Sequence, residues 1–298
     1  MFFEILKCDS GNKNYMTRRE HLKKTVKSIK NQFVGDRRSR RLFLAAFYNH
    51  YISKNLHLPV FIKFPKAQFK YQNVTLETRP DTIDFWATLE SYEPDLTQFL
   101  TEFLNDEKGT FIDVGAHIGR FSTLMAKQGW QVISFEPLKT NFQALENNLK
   151  VNHTNGNVRI FNAGLGNKTG NSTIYFNSLE LGEASVTEKN GDRKDAVQIL
   201  RFDDLYKDFN ISDFCIVKVD VEGYEEQVLE GMHDFVKIHK PLFVIELWAE
   251  KSPKLVEFLK SQGYKRLHIF WFIEEKHNPY ITQMYARYNR YHLNYDYE

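Results

Sequence analysis

The stretch that most restricts what this chain can become is FIDVGAHIGRFS, residues 111–122. From Thr110 to Val114 the residues are apolar or β-branched apart from Asp113, with no glycine or proline among them, which suits a strand buried on both faces of a sheet. Gly115 and Gly119 then let main chain come close to a ligand where a Cβ would clash, and residues 121–127 read as a helix whose first amides face that ligand. The glycine spacing is Gly-x-x-x-Gly, whereas a dinucleotide fingerprint needs Gly-x-Gly-x-x-Gly and a P-loop needs Gly-Lys-Ser/Thr. Pyrophosphate and triphosphate are both disfavoured.

Seventeen residues beyond Gly119 a second apolar strand, QVISF at 131–135, ends in Glu136-Pro137. An acid at such a strand end accepts hydrogen bonds from both hydroxyls of a ribose. The plainer alternative is a surface acid before a turn, and the strand and loop ahead of it favour the ribose. A nucleoside without phosphates fits both clues.

From residue 110 onward strand and helix patterns alternate, which predicts a parallel sheet in an α/β fold. Strands are expected at 110–114, 131–135, 158–162, 214–219 and 242–246, with helices at 121–128, 140–152, 225–231 and 253–262. Residues 172–176 and 197–200 read as extra strands or sheet edges, and 264–273 with 280–288 as a closing antiparallel pair. A helix over 95–104 leads into the first strand. Ahead of it, residues 1–58 read as basic helices and 58–76 as short strands broken by Pro59 and Pro65. The expected organisation is an accessory lobe over 1–90, a core over 91–275 and an aromatic tail over 276–298.

Several function classes are narrowed by charge and cysteine usage. Residues 13–41 hold eleven Lys or Arg against two acids, a balance of +9 in a chain whose net charge is +2. Such a segment suits phosphates on nucleic acid, a lipid head group or a nucleotide sugar. The plainer reading is an amphipathic helix with Leu22, Val26, Ile29 and Phe33 on one face and a solvated basic back. Cys8 and Cys215 are far apart and form neither a metal-ligand spacing nor a disulfide framework. No apolar run reaches the ~18 residues of a membrane span, and MFFEILKCDS lacks the basic-then-apolar order of a secretory signal. A cytoplasmic protein without a membrane span is the expectation.

Five segments occur in order: YEPDLTQFL (92–100), FIDVGAHIGRFS, VISFEP, VRIFNAGLGN (158–167) and IVKVDVEGYEEQVLEGM (216–232), followed by PLFVIELW (241–248). Together they resemble the FkbM-type family of S-adenosylmethionine-dependent class I methyltransferases over roughly residues 90–275. KVDVEGYE after FEP and NAGLG is the part that separates this family from its relatives. The resemblance implies a Rossmann-like sheet, mostly parallel, of seven strands with one antiparallel, and S-adenosylmethionine over the C-terminal strand ends. It places Asp113, Gly115, Ala116, His117 and Gly119 around the methionine portion, Glu136 and Pro137 at the ribose, and Asn162 and Ala163 beside the adenine. Glu93 is a further candidate for the cofactor's amino group, or a helix-start acid favoured by the dipole. His117 stands where Asn is more usual, and Trp248 where many relatives carry His.

Known members methylate hydroxyls of sugars, glycolipid-type carbohydrate or polyketide-derived rings, so O-methylation of a sugar, glycan or small-molecule acceptor is expected. An alcohol needs help to lose its proton. Asp220 and Glu222 after the fourth strand and Glu246 after the fifth are the catalytic candidates; together they are also a candidate set for a divalent metal such as Mg²⁺. Lys218 is a candidate to pair with one of these acids inside the sheet. A nucleic-acid or cap methyltransferase, or a catalytically idle cofactor-binding module, are the alternatives. In the tail, Tyr285, Tyr288, Tyr291 and Tyr295 would share one face if helical.

Overall fold

The computed structural model describes residues 18–56, 62–90, 92–104, 107–177, 181, 184–187, 191–245, 253–268 and 271–274. Helix α1 (Arg18–Gln32) buries Ile29 and turns Lys23, Lys27 and Lys30 outward, as the 3–4 spacing requires. Strand β1 (Phe33–Val34) follows it. Asp36 then accepts the Ser39 amide at 2.6 Å and starts α2 (Arg37–Leu56), which buries Phe43, Ala46 and Phe47. Strands β2 (Ala67–Tyr71) and β3 (Val74–Thr78) form a hairpin through Gln72, whose φ of 51° is the left-handed turn conformation. The sheet order is β1-β2-β3. Phe33, Phe43, Phe47, Phe64, Phe69 and Phe85 form the apolar cluster of this segment, with rings meeting largely edge to face.

A short 3₁₀ turn (Asp84–Thr88) leads to α3 (Pro94–Gln98), which runs into a π turn (Phe99–Phe103) where the sequence predicts continuous α-helix. Strand β4 (Thr110–Val114), helix α4 (Arg120–Lys127), β5 (Gln131–Phe135), α5 (Lys139–Val151) and β6 (Val158–Phe161) come next. Strands β7 (Gly164–Leu165), β8 (Gly170–Phe176) and β9 (Arg193–Leu200) make a separate three-stranded sheet in the order β7-β9-β8. The chain then returns through β10 (Cys215–Val219), α6 (Glu225–Glu230), α7 (His233–His239), β11 (Leu242–Ile245), α8 (Pro253–Ser261), β12 (Tyr264–His268) and β13 (Trp271–Glu274).

The main sheet has the order β12-β13-β11-β10-β4-β5-β6, and β13 alone runs antiparallel to it. This is the expected seven-stranded arrangement. Residues 264–274 form an antiparallel pair between β12 and β13; residues 280–288, named in the expected closing pair, lie outside the described residues. Helix α7 is an element that the sequence reading did not anticipate.

Alternation along the strands divides the core. Ile112, Val114, Val217 and Val219 face Val228, Leu229, Phe235 and Leu259 of the helices on one side. Phe111, Ile216 and Val244 face Leu124 and Met125 of α4 and Phe99 and Leu100 on the other. Each such large aliphatic side chain stabilises by about 1.5–3 kcal/mol on full burial. Asp113 and Lys218 share this second side as a charged pair set among apolar residues.

The N-terminal sheet attaches to the core through asparagines. Asn148 Oδ1 accepts the Glu77 amide and Asn152 Oδ1 the Thr75 amide, each at 2.8 Å, while Asn152 Nδ2 donates to the Thr75 carbonyl at 2.7 Å. Asn148 on α5 and Asn152 just past its end, four residues apart, thus pair with the outer edge of β3. Both asparagines are buried. Asn148→Ala and Asn152→Ala should each lower stability by about 1–3 kcal/mol, since each strands a polar backbone group. Urea denaturation measures this; a loss within the ~0.5 kcal/mol typical of neutral surface changes would show that the edge is satisfied without them.

Candidate functional site

The order of the main sheet reverses between β4 and β10: the chain moves outward one way through β5 and β6 and the other way through β11. Ligands of open α/β sheets bind beyond the carboxyl ends of the strands at such a switch point. There Gly115 takes a φ of 83°, and a Cβ on it would lie 1.8 Å from the Asp220 carbonyl oxygen. Asp220 in turn donates its amide to the Val114 carbonyl at 3.0 Å. Gly119, at φ 81°, faces Leu145 of α5, whose Cδ1 a Cβ would meet at 2.3 Å. The glycines are therefore required by protein packing as well as by backbone conformation. His117 between them has a φ of 50°, a conformation that Asn, Asp and His tolerate better than other side chains.

Glu136 closes β5 beneath this loop. Its Oε2 accepts the His117 amide at 2.8 Å; Oε1 accepts the Leu138 amide at 2.9 Å and Asn141 Nδ2 at 3.3 Å. Burial pushes its carboxyl up to about 7 against the pull of those donors. Asn162 after β6 donates to the carbonyls of Glu136 and Pro137, each at 3.0 Å, and so fixes the turn that carries them. Ala116 and Ala163 are buried beside this turn and loop.

Beyond Glu136, two residues ahead of the core reach the same loop. Arg79, just after β3, forms a two-pronged pair with Asp84, Nε to Oδ2 and Nη2 to Oδ1, both at 2.8 Å. Its Nη1 donates to Asn141 Oδ1 at 2.7 Å, and Nη2 lies 3.4 Å from His117 Nε2. Burial lowers the His117 pKa to about 4, with Asp84 opposing and Arg79 reinforcing, so the imidazole is neutral and accepts from Arg79. Burial works against the Asp84 carboxylate, yet its bonds to Arg79 hold it below the ordinary range.

The β10 side of the switch point is a charge cluster. Lys218 is the register partner of Asp113 across β4 and β10. Its Nζ lies 3.0 Å from Asp220 Oδ2 and 3.6 Å from Asp113 Oδ1, over the Phe121 ring. Asp113 Oδ2 also accepts Ser122 Oγ at 2.6 Å. Burial disfavours both charges: it raises Asp113 against the pull of Lys218, while Asp220, Asp113 and Glu93 together hold Lys218 above its ordinary value. Glu93, in the left-handed conformation at φ 41°, is pushed up to about 7 by burial, with Lys218 opposing and Asp220 adding to the rise.

Of the candidate catalytic acids, Asp220 stands at this cluster and Glu222 lies two residues on in the following turn. Glu222 has a φ of 51°, and its carbonyl accepts Ser185 Oγ at 2.7 Å. Gly223 and the buried Glu225 close the turn through a 3.0 Å bond from the Gly223 amide. Glu246 and Trp248 lie outside the described residues. Among the described residues no group of three His, Cys, Asp or Glu is assembled to hold a metal ion.

Sequence reasoning missed Arg79, Asp84, Asn141 and Arg120. Arg120 had a visible signal, a cation opening a helix of largely buried residues directly after Gly119. Buried there, it donates to the carbonyls of Ala87 and Leu89 at 2.8 and 3.0 Å and lies against the Tyr71 ring. Arg79 and Asp84 sit in a turn region with no periodic pattern to mark them.

The family profile of the methyltransferase FkbM domain matches residues 113–266, more than half of the chain. The chain belongs to the FkbM methyltransferase family. The matched region runs from Asp113 through both strand ends that meet at the switch point. The methyltransferase sdnD of Sordaria araneosa is 24% identical over 58% of this chain and 80% of its own length. The hexuronic acid methyltransferase AglP of Haloferax volcanii is 26% identical over 57% of this chain and 69% of its own. A solved FkbM methyltransferase from Methylobacillus flagellatus KT is 18% identical over 83% of this chain, with a TM-score of 0.42, and this chain covers 58% of that protein. The sheet of this FkbM chain is the mostly parallel, seven-stranded one expected from the resemblance.

Lys218→Met tests the charge cluster, because it leaves the buried Asp113 without its cation. Stability measured by urea denaturation should fall by about 3–5 kcal/mol, the cost of an uncompensated buried charge. Adding Asp113→Asn should recover part of the loss. Equal stability of Lys218→Met and wild type would show that Asp113 is neutral in the fold.

Proposed function

We propose that this chain transfers a methyl group from S-adenosylmethionine to a hydroxyl of a sugar, glycan or small-molecule acceptor. The observation that carries the cofactor reading is Glu136. It is an acid at the end of β5, held by the His117 amide of the adjoining glycine loop, with one hydrogen bond on Oε2. A carboxylate oxygen has a second lone pair, so Oε2 retains the capacity to accept a ribose hydroxyl. The loop lacks the glycine spacing for a pyrophosphate, which favours a nucleoside carrying a thioether over a dinucleotide. In this reading Asp113 to Gly119 border the methionine portion, Asn162 and Ala163 the adenine, and Glu93 the amino group. The name of the Haloferax volcanii relative supports a sugar acceptor.

When bound, the cofactor supplies an activated methyl carbon and a neutral leaving group. The chain's own task is to place the acceptor oxygen in line and receive its proton. As the new carbon–oxygen bond forms, that oxygen becomes cationic and its proton strongly acidic, so a carboxylate paired with a lysine is basic enough. Asp220 is assigned this role because it stands at the switch point, partly exposed, with Lys218 orienting it. Glu222 and Glu246 are assigned to the acceptor's other hydroxyls.

Two measurements test these roles. Because burial leaves Glu136 titrating at about 7, and the ionised form accepts best from hydroxyls, affinity for S-adenosylhomocysteine should rise with pH through about 7. His117, titrating at about 4, does not contribute in that range. Glu136→Gln should reduce this rise, of which Glu93, also pushed up to about 7 and read at the amino group, supplies the remainder, and should weaken binding above it by roughly tenfold, one charge-assisted bond of ~1.5–3 kcal/mol. A variant with unchanged affinity and the same pH profile in calorimetry excludes the ribose assignment.

Asp220→Asn should lower turnover by ~10²–10⁴-fold with little change in S-adenosylhomocysteine affinity. If EDTA abolishes wild-type activity and Mg²⁺ restores it, a metal assists the deprotonation. Full activity of the variant removes Asp220 from the chemistry.

A further inference from the structure

We infer that the outward side of α1 and α2 is a docking surface for an anionic lipid bilayer. Both helices lie over the same phenylalanine cluster, and their polar sides turn away from it. Lys23, Lys27 and Lys30 along α1 and Arg37, Arg38 and Arg41 at the start of α2 are all exposed. Glu20 and Asp36 are the acids within these helices and the turn between them. Asp36 caps Ser39 and faces Arg38, and two acids leave the cations of these helices in large excess.

Charge alone would suit any polyanion, and the apolar residues decide between them. Among the described residues the exposed large hydrophobic side chains are Val34, Leu42, Tyr48 and Ile238, at 44, 50, 57 and 66%. Leu42 and Tyr48 stand on α2, whereas Val34 shares the sheet face of Gln68 and Glu77, opposite the one that packs on the helices. At about 100° per residue, Arg38, Arg41, Leu42, Ala45 and Tyr48 fall within roughly one third of the circumference of α2. Phe43, Ala46 and Phe47 occupy the opposite side and are buried. The exposed stripe therefore interleaves guanidinium groups with aliphatic and aromatic side chains.

An anionic bilayer meets both chemistries at once. Cations settle among its head groups, Leu42 reaches the acyl boundary, and a tyrosine is suited to the interface between them. A nucleic-acid backbone would leave Leu42 with nothing apolar to contact, and single-strand binding relies on several stacking rings where this stripe presents one. Neither signal is sufficient alone, since lasting attachment at a bilayer needs apolar insertion and a basic patch together. No helix among the described residues is long and apolar enough to cross a membrane.

Flotation of the full chain with phosphatidylcholine vesicles, with and without phosphatidylglycerol, tests this. Binding should require the anionic lipid. Arg38→Glu with Arg41→Glu should weaken it by at least ~25-fold, from about fivefold for each cation lost. Leu42→Ser with Tyr48→Ser should weaken it by roughly tenfold, whereas Ile238→Ser, outside the segment, should leave it unchanged. All these positions are exposed or, for Arg38 and Arg41, solvated, so a matched thermal midpoint certifies the fold of each variant. Absence of binding, equal binding to neutral vesicles, or wild-type binding by the Leu42/Tyr48 variant overturns the proposal. So does tighter binding to single-stranded poly(U) that the Leu42/Tyr48 variant leaves intact, which would make the face a nucleic-acid surface.

Discussion

The arrangement depends first on how closely β4 and β10 approach where their ends leave the sheet. Gly115 Cα sits against the Asp220 carbonyl, and the Asp220 amide returns a hydrogen bond to Val114. Because these are main-chain contacts, they set the distance between the two loops once position 115 carries no side chain. The glycine loop and the Asp220 turn then have one relative position, and Asp113 and Lys218 are brought face to face by register. The ion pairs of Lys218 follow from that approach instead of creating it.

The central sheet was readable because its signal is redundant. β4, β10 and β11 are buried along their whole length and read as continuous apolar runs. Their boundaries came out within a residue or so, and Glu136 and Asp220 stand at strand ends that the pattern alone locates. The closing strands were harder. Residues 264–274 form a tight pair with an irregular register between Arg266 and His268, and a one-residue irregularity disrupts the alternation on which such readings rest. The π turn after α3 was equally invisible, since its residues are ordinary helix formers.

Contributions from ahead of the core were illegible for a different reason. Arg79, Asp84 and Arg120 matter through pairings some thirty to sixty residues apart in the chain, such as Arg79 with Asn141 and Arg120 with Ala87. No local period encodes a partner at that separation. Arg79 carries information from β3 to Asn141 and thence to the carboxyl of Glu136, so the geometry at the ribose candidate is set partly outside the region that the family profile matches.

The asparagine contacts along β3 have a consequence for how this protein meets other chains. An edge strand with unpaired amides and carbonyls is a template for foreign strands. Here the outer edge of β3 is already occupied by side chains of α5, and the opposite edge of the sheet is β1, only two residues long. Among the described residues both margins of the N-terminal sheet are thereby blunted against strand addition, one by the α5 side chains at Thr75 and Glu77 and the other by brevity.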